Sequence, residues 1–310
     1  MILIDCSHAL HRTLAVNKDK VNEDPNFIAH LFINQILSFS SKLGGSKKNR
    51  VVLCYDSHSW RKKYYLENRP KSYGNDTYKG QRVKDETIDW KKIYETIDCI
   101  TESLKLYSDF IIMKVKEAEA DDIIAVLANK FKKTETIWIA SSDKDFVQLQ
   151  ETPNVNIYDP LKQQFKPTVD KDYFKKMHIM LGDSSDNIKS IKERLGEKTA
   201  SKLIKELDLI LQTNPTMKER FDFNQTLIDF DFIPDYIKNN ILIEFDKNLG
   251  SFNALKLMKM FTELRLVQHT ENINKFKLSD NYIETKLNMY YKKLEKDINT
   301  SKATLEDFFN

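Results

Sequence analysis

"DFIIMKVKEAEADDIIAVLANKFKKTETIWIASSD", residues 109–143, reads as a strand, a helix and a second strand in one run. "DFIIMKV" and "TIWIASSD" are short, apolar and rich in β-branched residues, the mark of strands covered on both faces. "EADDIIAVLANKFKK" between them carries apolar residues at helical spacing. Working outward, the alternation continues in both directions. "MILID" (1–5), "RVVLCYD" (50–56) and "VNIYD" (155–159) read as strands, the last at a sheet edge. "FIAHLFINQILSFSSKL" (27–43), closed by Gly44-Gly45, and "TIDWKKIYETIDCITESLKL" (87–106) read as helices. Apolar strands separated by helices predict an α/β fold with a parallel, doubly wound sheet. Strand signals stop near residue 170, and the remainder is helical and Lys-rich. The expected organisation is a core over 1–180 and a helical region over 181–310, packed together because no low-complexity linker separates them.

The chain has 310 residues, 41% hydrophobic and 31% charged, which suits a charge-rich protein with a sizeable core and much surface. The apolar start is cut by Asp5, with no basic region before it and no cleavage site, so it does not read as a signal peptide. No run approaches membrane-spanning length, and no membrane partner is expected. Cys6, Cys54 and Cys99 are widely spaced without a Cys-x-x-Cys pair, so reduced thiols are expected.

The acids fall in a pattern. Asp5 closes the first strand, Asp56 closes the second, and Asp143 and Asp145 follow "IWIASS". Glu119, Asp121 and Asp122 open the helix after "DFIIMKV". In a parallel open sheet, ligands bind beyond the carboxyl ends of the strands, so all these acids reach one rim. Asp183 and Asp186 stand three apart in "LGDSSDNIKSIKERLGEKTASKLI" (181–204), where they support no apolar face. Taken singly, each acid is an ordinary turn former or helix cap. Gathered together they repel one another and stay ionised only around cations. An all-oxygen ligand set points to Mg²⁺ or Mn²⁺ over zinc. Two such ions about 4 Å apart are the usual device for in-line attack on a phosphodiester.

Net charge supports a polyanionic substrate. The overall balance is only +3, from 49 basic and 46 acidic residues. With the nine rim acids set aside, 37 acids face those 49 cations, so the body around the acidic hole is basic by twelve charges. Residues 57–84 carry eight Lys/Arg against two acids, with Trp60, Tyr64, Tyr65, Tyr73 and Tyr78 among them. Cations there bind phosphates and aromatics stack on unpaired bases, whereas a plain solvated loop would bury a few of those rings. Pro70 and Gly74 suggest a flexible arch. "LGEKT" lacks the preceding Gly of a phosphate-binding loop, which argues against an NTPase. His8 and His11 do not have the usual spacing of a ligand pair on a helix, and no Gly-x-Ser-x-Gly or Cys/His pair supports covalent catalysis.

Five ordered motifs then resemble the structure-specific 5′-nuclease, or flap endonuclease, family. They are "LIDCS", "VLCYDS", "KEAEADDIIAVL", "IASSDKDFVQL" and "LGDSSDNI…GEKTASKLI". The resemblance covers nearly the whole chain. It implies a PIN-like catalytic core with a basic arch at 57–86, and a helix–turn–helix for duplex over about 181–210. Asp5, Asp56, Asp121 and Asp143 would surround a first Mg²⁺. Glu119, Asp122, Asp145, Asp183 and Asp186 would hold the second or its waters, with Mn²⁺ able to substitute. Glu117 fits an alternative Glu-Ala-Glu pattern. The family's arch carries Tyr-Lys-x-x-Arg, which is matched here to Tyr65-Leu66-Glu67-Asn68-Arg69 with Leu66 at the lysine position. Arg61, Lys62, Lys63, Tyr65, Arg69 and Lys71 are therefore the expected phosphate binders, with Lys198 of the helix–turn–helix. Leu305, Phe308 and Phe309 in the tail "SKATLEDFFN" resemble a clamp-docking peptide. The implied activity is 5′-to-3′ hydrolysis of RNA–DNA and DNA duplexes with 5′ ends or flaps. It would remove RNA primers during phage replication in the bacterial host cytoplasm, beside a sliding clamp and a single-stranded-DNA-binding protein. A monomer is expected. A small PIN-type ribonuclease and a non-catalytic replication factor are the alternatives; the helical second half opposes the first, and the full set of acids opposes the second.

Overall fold

The computed structural model describes residues 1–278 apart from 25, 46–48, 84 and 249. The tail residues Leu305, Phe308 and Phe309 lie outside the described residues. Six strands form one sheet: β1 (Ile2–Asp5), β2 (Val51–Tyr55), β3 (Ile111–Lys114), β4 (Ile137–Ala140), β5 (Val155–Asp159) and β6 (Gln164–Phe165). Their order is β3-β2-β1-β4-β5-β6. β1 to β5 run parallel, and β6 returns antiparallel on β5. "VNIYD" is thus not the edge strand it was expected to be. The two-residue β6, too short to show a period, takes the edge through a turn in which Gln163 adopts φ 52°.

Eleven helices are described: α1 (Cys6–Glu23), α2 (Asn26–Lys42), α3 (Trp60–Asn68), α4 (Trp90–Tyr107), α5 (Ala120–Phe131), α6 (Lys171–Leu181), α7 (Glu197–Leu203), α8 (Leu207–Thr213), α9 (Pro215–Ile228), α10 (Asp235–Lys247) and α11 (Ala254–Glu263). Alternation along β1 divides the core between the two faces of the sheet. Ile2 and Ile4 point to the face covered by Phe32 and Ile36 of α2, Ile97 and Leu104 of α4, and Phe261 of α11. Leu3 points to the face covered by Ile123 and Leu127 of α5 and by Ile237, Ile241 and Phe245 of α10. α5 is apolar on most of its circumference because it lies between the sheet and α10. A third cluster joins α3, the loop after it, and α6 to α9 through Tyr65, Tyr73, Tyr78, Ile188 and Phe223.

This order fixes where a ligand can sit. The chain winds outward from β1 through β2 to β3, then crosses back to lay β4 on the other side of β1. The connections diverge between β1 and β4, which opens a crevice at their carboxyl ends. Asp5 ends one of those strands, and Asp143 lies just past the other. No described helix is long and apolar enough to cross a membrane.

Candidate active site

Each rim acid is held by the local backbone. Asp5 caps α1, accepting from the His8 amide at 2.9 Å, and its other oxygen accepts from Ser141 Oγ at 3.1 Å. Asp56 Oδ1 accepts from the Ala120 amide at 2.8 Å, which ties the end of β2 to the start of α5. The Asp143 amide donates to Ser141 Oγ at 3.1 Å, and Asp143 Oδ1 accepts from the Asp145 amide at 2.9 Å. Burial, then the charges of Asp56 and Asp143, pushes the Asp5 carboxyl up to about 7. Burial, then Asp143 and Asp5, raises Asp121 as well. Asp5, Asp56, Asp121 and Asp143 therefore form one mutually repelling group.

Asp145 and Asp183 form a second group, joined to the first through Asp143. Burial raises Asp145 to about 7; His178 opposes this, and Asp143 and Asp183 reinforce it. His178 Nε2 lies 3.0 Å from Asp183 Oδ2, and Lys144 Nζ lies 2.9 Å from the same oxygen. The Ser185 amide and hydroxyl donate to Asp183 Oδ1 at 2.8 and 2.6 Å. Those bonds outweigh burial and hold Asp183 well below the usual carboxylate range. The loop that places Asp183 depends on Gly182, at φ +72°. A Cβ there would come within 2.4 Å of the Ile188 carbonyl.

Glu119 and Asp186 are already paired. Lys79 Nζ lies 2.5 Å from Glu119 Oε1 and 3.8 Å from Asp186 Oδ2. Arg82 meets Asp186 at 2.6 Å, and the Tyr78 hydroxyl lies 2.9 Å from Asp186 and 3.1 Å from Glu119. Although burial pushes the other way, Lys79 and Arg61 bring Glu119 down to about 2.

Several expected residues point elsewhere. Asp122 is fully buried. It takes Arg61 Nη2 at 2.8 Å, Trp60 Nε1 at 3.2 Å and the Glu119 amide at 3.0 Å, which leaves it interior to the rim. Arg61, expected to bind phosphate, is buried. It pairs with Glu119 and Asp122 and donates to the Leu227 carbonyl. Tyr65 is fully buried and donates to the Asn187 carbonyl at 2.8 Å. Trp60, Tyr73 and Tyr78 are buried too, so these rings are core and not a stacking surface. Arg69 donates to the Asp76 carbonyl, and Glu117 meets Tyr236 of α10. Lys62, Lys63, Lys71 and Lys198 are exposed. Of these, Lys62 faces a cavity of about 700 Å³ shared with Asp56, Lys79, Arg82, Trp90 and Glu119. Lys198 lines a groove of about 790 Å³ with Lys144, Tyr173 and His178.

The sequence reading missed Lys79 and Arg82, which touch Glu119 and Asp186, and Lys144, which touches Asp183. Tyr-Lys-x-x-Arg occurs intact as Tyr78-Lys79-Gly80-Gln81-Arg82, thirteen residues beyond the partial match at Tyr65. His178 was missed for a different reason, since nothing in its spacing from Asp145 or Asp183 marks it.

The chain belongs to the 5′-3′ exonuclease family: residues 1–178 match the family described as "5'-3' exonuclease, N-terminal resolvase-like domain". It is a nuclease of the hydrolase class, as its relatives are named. It is 31% identical over 304 residues to the ribonuclease H of Enterobacteria phage T4, covering 88% of this chain and 95% of that protein. It is 30% identical over 215 residues to a 5′-3′ exonuclease of Mycoplasmopsis pulmonis, covering 66% and 65%. Its fold is similar to that of the T5 5′-exonuclease solved with divalent zinc ions, at a TM-score of 0.56 and 18% identity over 86% of this chain and 98% of that one.

Proposed function

We propose that the chain is a Mg²⁺-dependent 5′-to-3′ exonuclease and flap endonuclease. It would act on RNA–DNA and DNA duplexes and remove RNA primers in phage replication, within the host cytoplasm. The observation that carries this is the continuous carboxylate cluster at the sheet's switch point, with Lys79 and Arg82 laid against its rim. Buried acids whose carboxyls are pushed up by burial and by one another's charge, and a buried Asp145 Oδ1 without a hydrogen-bond partner, fit divalent cations. Asp5, Asp56, Asp121 and Asp143 would hold one ion, and Asp145 and Asp183 the other or its water shell. Bound dications supply an acidified water and a charge sink for the leaving oxygen.

The chain's own residues do the rest. Lys79 and Arg82, drawn from Glu119 and Asp186 by a phosphate, donate to its non-bridging oxygens and set its line of attack. The cavity beside Lys62 and Trp90 receives the 5′ end. Lys198 and Lys144, along the groove, take the duplex backbone. A T5 flap endonuclease of similar fold has been solved with DNA and metal ions, which is in keeping with a DNA substrate and bound metal. Docking of the tail to a sliding clamp, contact with a single-stranded-DNA-binding protein, and a monomeric state belong to the same proposal. The test is digestion of end-labelled RNA–DNA and flap substrates with and without Mg²⁺. Products should leave from the 5′ end only when the ion is present. Release from the 3′ end, or cleavage undiminished by chelation, would overturn the reading.

A further inference from the structure

His178 lies in the last turn of α6, only 5% exposed, with its ring against Phe174 at 5.8 Å. Its two nitrogens face two different carboxylates. Nε2 is 3.0 Å from Asp183 Oδ2, and Nδ1 is 3.4 Å from Asp145 Oδ1. Both Nδ1 and that Asp145 oxygen are buried and make no hydrogen bond. A neutral ring that gives its Nε2–H to Asp183 turns the Nδ1 lone pair toward Asp145, so two acceptors face each other across the gap. One ligand atom from each of Asp145, His178 and Asp183 falls within a span of 4.8 Å.

We propose that His178 is a nitrogen ligand of the second cation. That second site then takes a first-row transition dication such as Mn²⁺ or Zn²⁺ in preference to Mg²⁺. The proposal rests on the reading of Asp145 as a cation ligand given above. An ion about 2.1 Å from a nitrogen and from an oxygen reaches both, because their separation here is less than twice that length. A ligating histidine commonly donates its other N–H to a carboxylate, the part Asp183 plays here. Lys144, the competing cation on Asp183, is 57% exposed in its side chain and free to swing outward. Imidazole shifts a site's preference from Mg²⁺ toward the transition metals. The neighbouring group of Asp5, Asp56, Asp121 and Asp143 offers oxygen alone, so the two halves of one centre differ in the metal they favour.

The experiment uses the full chain, stripped of metal and loaded with less than one equivalent of Mn²⁺, read by pulsed electron paramagnetic resonance. The bound ion should show nitrogen coupling that changes when the protein is grown with ¹⁵N-histidine. It should also resist displacement by an excess of Mg²⁺. The coupling should persist in His8→Gln, since His8 is another imidazole near the acids, and disappear in His178→Leu. Mn²⁺ bound without nitrogen coupling overturns the proposal and leaves the carboxylate reading standing. Coupling that survives His178→Leu, or is lost in His8→Gln, overturns it as well. Failure of the wild type to bind Mn²⁺ at all overturns both.

Discussion

Lys79 Nζ lies 2.5 Å from Glu119 Oε1, and with Arg82 it ties the 74–83 loop to the acid rim. Lys79 is mostly buried, so the contact is not a solvated surface pair, and it helps to keep Glu119 ionised. On the proposed function, a phosphate entering the rim would compete with Glu119 for the same ammonium. Lys79→Ala should lower the single-turnover rate by about 10²-fold, the usual loss when one preorganised donor is removed. Duplex affinity should change far less, and Lys79→Arg should recover part of the rate. A single-turnover rate within about three-fold of wild type would mean that Lys79 only tethers the loop.

Asp5 sets function against stability. Its carboxyl is buried, pushed up to about 7, and faces Asp56 and Asp143. Asp5→Asn keeps an acceptor for the His8 amide and removes one charge from the cluster. Cleavage should become undetectable. The metal-free variant should melt a few degrees above wild type, as expected for a gain of about 1–2 kcal/mol in a chain of this size. Differential scanning calorimetry in chelator reads the second effect independently of the first. A melting point at or below wild type would show that the acids do not repel one another in the folded protein.

How far the sequence revealed all this varies from residue to residue. β1 to β4 were readable because each is a run of β-branched and apolar residues, and Asp5, Asp56 and Asp143 were readable because they stand where those runs end. α1 was not, since "CSHALHRTLAVNKDKVNE" is polar on average, unlike the apolar run of α2, and kinks at Asn17. The rings of residues 57–84 were misread because a tyrosine beside lysines looks alike whether it stacks on a base or packs on Phe223, and only the path of α9 decides between them. Asp122 was misread because a capping box and a ligand site use the same residue at the same place in a helix. Lys79 and Arg82 lay in plain view as an intact pattern. His178 reaches Asp145 only through the packing of α6 against the 145–149 turn, which no local spacing encodes.

Arg61 now carries a structural prediction in place of a phosphate-binding one. Its guanidinium spans Glu119 and Asp122 at 3.2 and 2.8 Å, all three groups being buried. Removing one partner of such a cluster strands the others without compensation. Arg61→Met should cost about 3–5 kcal/mol in urea denaturation. Lys62→Ala, one residue on and exposed, should stay within about 0.5 kcal/mol. Equal, small effects at both positions would place Arg61 on the surface after all.

The acids also fix how stability follows pH. Asp5 and Asp145 hold their protons up to about 7 in the folded, metal-free protein, against 3.8 for an ordinary aspartate. Between those values the folded state binds more protons than the unfolded chain, so stability must fall as pH rises. Above 7 both states are ionised and the decline levels off. Glu119, brought down to about 2, acts in the opposite sense, and its contribution disappears only as pH drops below the ordinary carboxylate range. The metal-free protein should therefore be most stable near pH 4 to 5 and lose on the order of 5 kcal/mol by pH 7. On the proposed function, saturating Mg²⁺ should bind the ionised carboxylates, displace their protons, and abolish or invert that decline. Thermal melts from pH 4.5 to 8, in chelator and in excess Mg²⁺, test both parts. Parallel curves in the two conditions would mean that the ion does not bind these carboxylates.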